Sequence, residues 1–270
     1  MREAPRQTDG CRCDPLNGSI AWVNGVHIEP MTPEAALGRV ERHLSCPATH
    51  VVNPVAAYPT VLARRDPRFT EALNRGDLNL PDGMGVVWAC RAQGFRGTPR
   101  VYGPELMLRT SAWGEDRGIT HSFVGGSQET LDALLAALRV RTPGIRVVGA
   151  YAPPFREVTA EAVAEDVQHL PDRSDVLWVG LGSPKQQWWG DLARAHSPAT
   201  VILTVGAAFD FIGGTKRQAP RWIRQASLEW LFRLMMEPRR LWRRELVDNA
   251  VFAWNVGGDL MRERLRRNHR

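Results

Sequence analysis

The amino-acid sequence predicts an α/β fold: a Rossmann-like, mostly parallel sheet with helices on both faces, followed by a basic amphipathic C-terminal helical appendage. Two observations lead to this prediction. Short apolar segments alternate with helical segments through residues 19–215, which is the pattern of parallel strands joined by crossover helices. Residues 216–270 instead carry 14 Lys/Arg against 6 Asp/Glu, a net charge of +8, whereas residues 1–215 carry a net charge of −2.

The first elements are indicated by turn and capping residues. The polar residues 1–18 are expected to form a disordered arm. Residues 20–28 (IAWVNGVHI) predict a hairpin with Asn24-Gly25 in a type I′ turn. Thr32 suits the N-cap and Pro33 the first position of the helix that follows. The next predicted elements are a strand at 50–53, a helix ending near 74, a strand at 78–80 and a helix at 84–93.

The second half repeats a strand-loop-helix pattern. Strands are predicted at 121–124, 146–151, 175–181 and 200–205, and helices at 128–141, at 163–170 and after the loop 182–186. Loops containing Gly or Pro follow four predicted strands, at 81–83, 125–127, 182–186 and 206–210. Parallel sheets bind ligands beyond the carboxyl ends of their strands. We therefore expect these four loops to surround the functional site.

The C-terminal segment predicts two amphipathic helices, at 222–236 and at 239–254. Their apolar residues, tryptophans above all, recur at helical spacing and alternate with arginines. Such helices can pack on the α/β domain through the apolar stripe, or they can face an anionic membrane surface with their basic residues. The two interpretations are compatible with each other.

Composition and spacing exclude several classes of protein. No run of 18 apolar residues occurs, and the first twenty residues lack an apolar core of signal-peptide length, so membrane contact is expected to be peripheral. The cysteines and histidines show no ligand spacing, so neither a metal nor a cofactor is predicted. The positive charge of the tail is interleaved with apolar residues and matches no nucleic-acid-binding signature, so no nucleic-acid partner is predicted.

Two glycine-containing loops are candidates for anion binding. In the loop Gly182-Ser183-Pro184-Lys185-Gln186, free N–H groups at the start of a helix attract anions, and Lys185 adds a positive charge. The alternative is an ordinary turn with a serine cap. The pair Gly125-Gly126 either approaches a ligand or only turns the chain. The dinucleotide fingerprint and the Walker A loop are both absent.

Two carboxylates lie at predicted strand ends. Asp82 follows Pro81 and precedes Gly83, where a carboxylate can point into the crevice and accept a proton from an attacking hydroxyl. The alternative is a turn aspartate that caps the next helix. Asp210 either binds ribose hydroxyls or caps a turn.

Several ordered motifs resemble one protein family. They are DLNLPDGMGVVW at 77–88, RVYG at 100–103, VGLGSPKQ at 179–186, VGAAFDF at 205–211 and APRWIRQASLEWLFRLMMEPRRLWRRELVDN at 219–249. Together they are similar to the WecG/TagA/CpsF glycosyltransferases, glycosyltransferase family 26, from about residue 20 to residue 249. The resemblance implies an inverting hexosyltransferase without a catalytic metal. Such enzymes move a sugar, often N-acetylmannosamine or its uronate, from UDP to an undecaprenyl-diphosphate-linked saccharide of a bacterial cell-surface polysaccharide.

The resemblance also implies roles for individual residues. Asp82 matches the general base, and Arg100 and Gln186 match active-site residues near the diphosphate and the donor sugar. Nucleotide or donor binding is implied for a second set of residues: Asn53, Gly125, Gly126, Gly182, Ser183, Lys185 and Asp210. A third set, Arg233, Arg240 and Arg243, matches basic residues of a C-terminal appendage that closes over the site at the membrane, and these are expected to bind the acceptor's diphosphate.

One departure from the family pattern lies on the first parallel strand. The family has a Thr-x-Asn motif there, and here the segment reads His50-Val51-Val52-Asn53-Pro54. Asn53 keeps the place of the asparagine, but the threonine is absent.

The partners implied are a UDP-sugar donor, a polyprenyl-diphosphate-linked acceptor and an anionic membrane surface, on the cytoplasmic face of the cell membrane. The apolar tail favours self-association away from the membrane. Two alternatives of other classes are a non-catalytic nucleotide-sugar-binding regulator and a basic nucleic-acid-binding protein. The joint presence of Asp82, Arg100 and Gln186 favours the enzyme.

Overall fold

A parallel sheet lies at the centre of the computed structural model, which describes residues 20–268. The strands in this range are β1 (Ala21–Val23), β2 (Val26–Ile28), β3 (His50–Val55), β4 (Leu78–Pro81), β5 (Thr120–Gly125), β6 (Arg146–Tyr151), β7 (Ser174–Gly180) and β8 (Ala199–Thr204). The arm predicted at 1–18 lies outside the described residues.

Helices connect these strands and form the tail. They are α1 (Pro33–Leu44), α2 (Ala57–Arg65), α3 (Pro67–Asn74), α4 (Met84–Ala92), α5 (Gly103–Glu115), α6 (Gln128–Arg141), α7 (Ala160–Gln168), α8 (Lys185–Ala193), α9 (Ala208–Gly213), α10 (Arg221–Gln225), α11 (Glu229–Met236), α12 (Pro238–Trp242) and α13 (Asn249–Asn268). A π-helical turn, Arg243–Asp248, joins α12 to α13.

The sheet has the strand order β4-β3-β8-β7-β5-β6, and every neighbouring pair is parallel. Successive side chains of a strand point to opposite faces. Accordingly, Trp178 packs in one apolar cluster with α5, α6 and α9, while its neighbours Leu177 and Val179 pack in another with α7 and α8. The predicted α/β fold with a parallel sheet covered on both faces is confirmed.

Local signals placed several elements correctly. Asn24 and Gly25 both have positive φ (54° and 85°), as a type I′ hairpin turn requires. The side chains of Thr32 and Ser127 accept hydrogen bonds from the backbone N–H groups of Ala35 and Thr130, and so cap α1 and α6. These turn and capping residues explain why the hairpin and the two helices begin where the sequence predicts.

Other expectations need correction. The single helix expected to end near residue 74 is two helices, because Pro67 lacks an N–H group and Asp66 caps the second one by accepting from the Arg68 N–H. The helix expected at 222–236 is also broken in two, at Ser227, whose φ is 63°. The last helix begins at Pro238 and continues past residue 254 to Asn268, with the π-helical turn inside it. Helices α5 and α9 were not predicted.

The C-terminal segment 216–268, which we call the appendage, packs beside α2 and α4. Phe252 of α13 is buried against α4, where its Cε1 would lie 3.1 Å from a Cβ atom at Gly85. Arg64 of α2 forms a two-point ion pair with Asp259, and Arg65 lies 3.1 Å from Asp248. Among residues 20–268, no helix combines the length and the apolar character needed to cross a bilayer.

Candidate active site

A cavity of about 1180 Å³ lies between the carboxyl ends of the strands and the appendage. The loops after β4, β7 and β8 supply one wall, including Asp82, Gly182 and Asp210. Helices α11 and α13 of the appendage supply the opposite wall. Three of the four loops selected from the sequence therefore reach one cavity. The fourth, at 125–127, does not line it.

Asp82 stands at the end of β4, directly before α4. Its backbone N–H donates to the Val55 carbonyl at 3.1 Å, which fixes the loop against β3. The N-cap of α4 is Gly83, and no side-chain hydrogen bond caps that helix. Asp82 therefore does not have the helix-capping role that the sequence left open. Its Oδ1 atom is buried and accepts no hydrogen bond.

The surroundings of Asp82 make its carboxylate a stronger base. Burial raises the pKa of Asp82, and the negative charge of Glu229 raises it further. The guanidinium of Arg100, with Nε 3.5 Å from Asp82 Oδ1, and the Gly103 N–H act in the opposite direction. Burial has the larger effect, so the pKa of Asp82 lies above its ordinary value.

Arg100 links the α/β domain to the appendage. Its Nη1 donates to Glu229 Oε2 of α11 at 2.6 Å, and its Nε donates to the Asp82 carbonyl. The guanidinium also stacks on the Tyr102 ring, 4.0 Å from the centroid. The Tyr102 hydroxyl in turn donates to Glu229 Oε1 at 3.3 Å and accepts from Gln218. Arg100 is therefore held beside Asp82 from both sides, by Asp82 and Tyr102 of the α/β domain and by Glu229 of the appendage.

Gln186 ties together the two loops at the centre of the sheet. Its Oε1 accepts from the Gly182 N–H at 3.0 Å, and its Nε2 donates to the Thr204 carbonyl at 2.9 Å. Gly182 has a φ of 76°, and a Cβ atom there would meet nothing within 4 Å. Gln186 lines the cavity and lies close to Gly206, but both of its polar atoms are engaged by backbone. This arrangement positions the loops that surround the cavity floor.

Asp210 opens α9 at the edge of the cavity. Thr215 Oγ1 donates to its Oδ1, and Lys216 Nζ lies 3.2 Å from its Oδ2. Ser183 also lines the cavity, and its hydroxyl accepts from Gln187. Asp210 thus connects the end of β8 to the first residues of the appendage.

Five arginines of the appendage line the cavity: Arg217, Arg224, Arg233, Arg240 and Arg244. Burial lowers the pKa of Arg244, and the charges of Arg233 and Arg240 lower it further, against the opposite effect of Glu245. Glu237 pairs with Arg240 and Glu245 lies 3.9 Å from Arg244. An anion in the cavity would relieve the repulsion among the arginines.

Five residues selected from the sequence lie outside the cavity wall. Asn53 is buried, with 1% exposure, where it donates to Asn79 Oδ1 and accepts from Thr204 Oγ1. Lys185 donates to the Arg156 carbonyl and stacks on Phe155. Arg243 stacks on Trp242.

The other two residues outside the wall are Gly125 and Gly126, at the carboxyl end of β5. A Cβ atom at Gly125 would come within 2.6 Å of the Gly180 backbone, so the glycine allows β5 to approach β7 closely. Gly180 itself lines the cavity. The glycine pair therefore supports the cavity wall through Gly180 without lining the cavity itself.

Sequence reasoning missed Tyr102, Glu229 and Arg244 as site residues. Tyr102 lies inside the quoted RVYG motif, directly after Arg100-Val101, and that adjacency was the available signal. Glu229 contacts Arg100 across 129 positions of sequence, which no local pattern reports. The π-helical turn at 243–248 changes the helical phase, and Arg244 rather than Arg243 faces the cavity. Among residues 20–268, no group of three or more His, Cys, Asp or Glu side chains could hold a metal ion.

Comparison with known proteins identifies a family and several relatives. The model of the "Glycosyl transferase WecG/TagA/CpsF family" matches residues 21–270. A protein of Bacillus spizizenii strain W23 is 28% identical over 187 residues, covering 68% of this chain and 70% of the relative. One of Bacillus subtilis strain 168 is 26% identical over 198 residues, covering 72% and 73%. One of Staphylococcus aureus strain MW2 is 25% identical over 234 residues, covering 86% and 90%. All three are named N-acetylglucosaminyldiphosphoundecaprenol N-acetyl-beta-D-mannosaminyltransferase.

Proposed function

The chain belongs to the glycosyl transferase WecG/TagA/CpsF family, and on this basis we propose that it moves a hexosyl group from a UDP-sugar to an undecaprenyl-diphosphate-linked saccharide. The names of the three relatives describe N-acetylmannosaminyl transfer to N-acetylglucosaminyl-diphosphoundecaprenol. N-acetylmannosamine and its uronate are therefore the first donor sugars to test. The observation that supports the proposal most is the Asp82 carboxylate, beside Arg100, in the same cavity as Arg233, Arg240 and Arg244.

In the proposed reaction Asp82 is the general base. Its carboxylate accepts the proton of an acceptor hydroxyl while that oxygen attacks the anomeric carbon of the donor sugar. The bond from the anomeric carbon to UDP breaks on the opposite face, so the configuration inverts. Because its pKa is raised, Asp82 holds the transferred proton better than an ordinary aspartate does. Its Oδ1 atom accepts no hydrogen bond and so has a lone pair for that proton.

The departing UDP gains negative charge, which cationic groups must stabilise. The cavity offers Arg233, Arg240 and Arg244, whose guanidinium groups can grip phosphate oxygens in two places. We propose that these arginines do this without a metal ion. Glu229 holds Arg100 beside Asp82. The positive charge of Arg100 therefore lies close to the reacting atoms.

The surface of the appendage supports a peripheral place on the inner face of the cell membrane. Large apolar side chains that do not line the cavity are exposed along it: Trp222, Leu228, Leu231, Met235, Trp242, Val247, Trp254, Met261 and Leu265. Tryptophans of this kind sit at the level of lipid headgroups, and each nearby Lys or Arg adds about 1 kcal/mol of attraction to anionic lipid. Away from a membrane, the same surface favours self-association.

The test is release of UDP from a panel of UDP-sugars with a polyprenyl-diphosphate-linked N-acetylglucosamine acceptor. We expect turnover by the wild-type protein, and a loss of about 10²- to 10⁴-fold in kcat for Asp82→Asn with UDP binding retained. The matched control is Asp132→Asn, an exposed aspartate of α6 that does not line the cavity. Undiminished turnover by Asp82→Asn would remove Asp82 as the base, and no turnover with any donor would contradict the proposed reaction.

A further inference from the structure

The cavity extends beyond the charged residues into an apolar arm between α4 and α13, which we call the α4/α13 groove. One wall comes from α4 (Gly85, Trp88 and Ala92) and the other from α13 (Phe252, Val256 and Leu260). Residues at this spacing of three or four share one face of a helix. The two faces are therefore turned toward the same channel.

The groove starts at the catalytic end of the cavity. Helix α4 begins two residues after Asp82, and Phe252 packs against Gly85 in its first turn. From Gly85 to Ala92 the helix advances two turns, about 10 Å. The helices touch at Gly85 and Phe252, so an apolar ligand would lie beyond that contact, in the open part of the groove that leads to the protein surface.

The groove is open and lined by small residues between its larger walls. Trp88 is 54% exposed, although α4 is a helix of the α/β domain and not of the appendage. Ala253 and Gly257 also line the channel and are exposed, and a Cβ atom at Gly257 would meet nothing within 4 Å. Water therefore contacts apolar surface here, which costs free energy unless a ligand covers it.

We propose that the α4/α13 groove binds the first isoprene units of the acceptor's polyprenyl chain. This inference rests on the proposed function, in which the acceptor is a saccharide joined to a polyprenol through a diphosphate. Such a molecule presents a hydroxyl, an anionic diphosphate and an apolar chain in that order. The cavity presents a carboxylate at Asp82, two arginines besides the three assigned to UDP (Arg217 and Arg224), and the groove. The match of all three chemistries within one cavity favours the prenyl chain over a helix of a second copy.

Binding can be measured without any transfer reaction. We would compare farnesyl diphosphate with inorganic diphosphate by calorimetry, using the full-length protein without detergent. Both ligands carry the diphosphate, so the difference reports the apolar chain. The groove predicts that farnesyl diphosphate binds about tenfold more tightly or better. Equal affinities for the two ligands would overturn the proposal.

Two adjacent glycines of α13 provide a matched pair of variants. Gly257 lines the groove and Gly258 does not, yet a Cβ atom at either position would meet nothing within 4 Å. Circular dichroism would check that both tryptophan variants fold. Gly257→Trp should abolish the preference for farnesyl diphosphate, and Gly258→Trp should keep it. An equal effect of both variants would overturn the proposal.

Transfer assays separate this proposal from the proposed function. With acceptors that share the sugar diphosphate, Gly257→Trp should raise KM at least about tenfold more for a farnesyl chain than for a short alkyl chain. Suppose first that no acceptor supports transfer, while the wild-type protein still binds farnesyl diphosphate more tightly than inorganic diphosphate and Gly257→Trp does not. In that case the proposed function is wrong, and the proposal that the groove binds a prenyl chain is supported. Suppose instead that the protein binds farnesyl diphosphate no more tightly than inorganic diphosphate, and that Gly257→Trp dissociates a dimer in sedimentation. The occupant of the groove is then a second copy, and the proposal is wrong.

Discussion

The α/β domain and the appendage hold their site residues in different ways. In the domain, the cavity loops are fixed by buried hydrogen bonds, such as those of Gln186 to Gly182 and Thr204. In the appendage, only Leu241 and Phe252 are buried among the large apolar side chains of α11 to α13. Its other ties to the domain include ion pairs, of which Arg64–Asp259 is partly exposed.

This difference indicates which half of the site can move. An exposed ion pair contributes about 0 to 1 kcal/mol, whereas a buried polar group left unpaired costs roughly 1 to 3 kcal/mol. We therefore expect the domain to keep its loops in place whether or not the appendage is docked. The appendage brings Glu229 and the arginines, so the site is complete only in the docked state.

Removing the appendage is expected to have the largest effect and tests whether the α/β domain keeps its structure without it. A chain ending at Thr215 should still fold, because the sheet lies entirely upstream. It should lose activity by on the order of 10³-fold, since the arginines that face the diphosphate are gone, and it should bind anionic vesicles more weakly. Turnover assays, circular dichroism and vesicle sedimentation measure these effects.

A shorter truncation is the control for that experiment. A chain ending at Met261 loses basic residues but keeps every residue that lines the cavity. We expect its activity on a short-chain acceptor to stay near the wild-type value. If the chain ending at Thr215 were as active as the full-length protein on membranes, the appendage would have no part in the site.

Substitutions of single arginines test which residues of the appendage act at the site. Arg233→Ala or Arg240→Ala should lower kcat/KM roughly 10- to 100-fold, the effect of losing a charged hydrogen bond to phosphate. Arg243→Ala is the matched control, because Arg243 stacks on Trp242 outside the cavity. Steady-state kinetics with a short-chain acceptor measure both. An Arg243→Ala loss as large as the others would mean that the docked arrangement differs from the one described.

The fold was predictable where local chemistry decides the structure. Helix α6 and strand β6 match their predicted bounds because Ser127 caps the one and a short apolar run forms the other. Helix α5 was missed, although Pro104 in its first turn is a helix-start signal. The break at Ser227 has no Gly or Pro to announce it, and depends on how the appendage folds back on the domain.

The site was predictable to the extent that it lies at strand ends. Asp82 and Asp210 follow predicted strands, so the rule for parallel sheets places both at one edge. Lys185 obeys the same rule, yet its side chain turns to Arg156 and Phe155, a choice that depends on the neighbouring loop. Glu229 reaches Arg100 only through the tertiary fold. Of the residues in contact between the two regions, Arg100 and Asp210 were selected from the sequence, and Tyr102 and Glu229 were missed.

The most direct test of a catalytic centre shared by the two regions is the pH dependence of kcat/KM in the wild-type protein and in Glu229→Gln. Activity should fall on the acidic side as Asp82 becomes protonated. The charge of Glu229 raises the pKa of Asp82, so its removal should lower that pKa and move the acidic limb of the profile to lower pH. The exposed Glu129→Gln of α6 should leave the profile unchanged. An acidic limb at the same pH in wild type and Glu229→Gln would contradict an effect of Glu229 in the appendage on the pKa of the catalytic base.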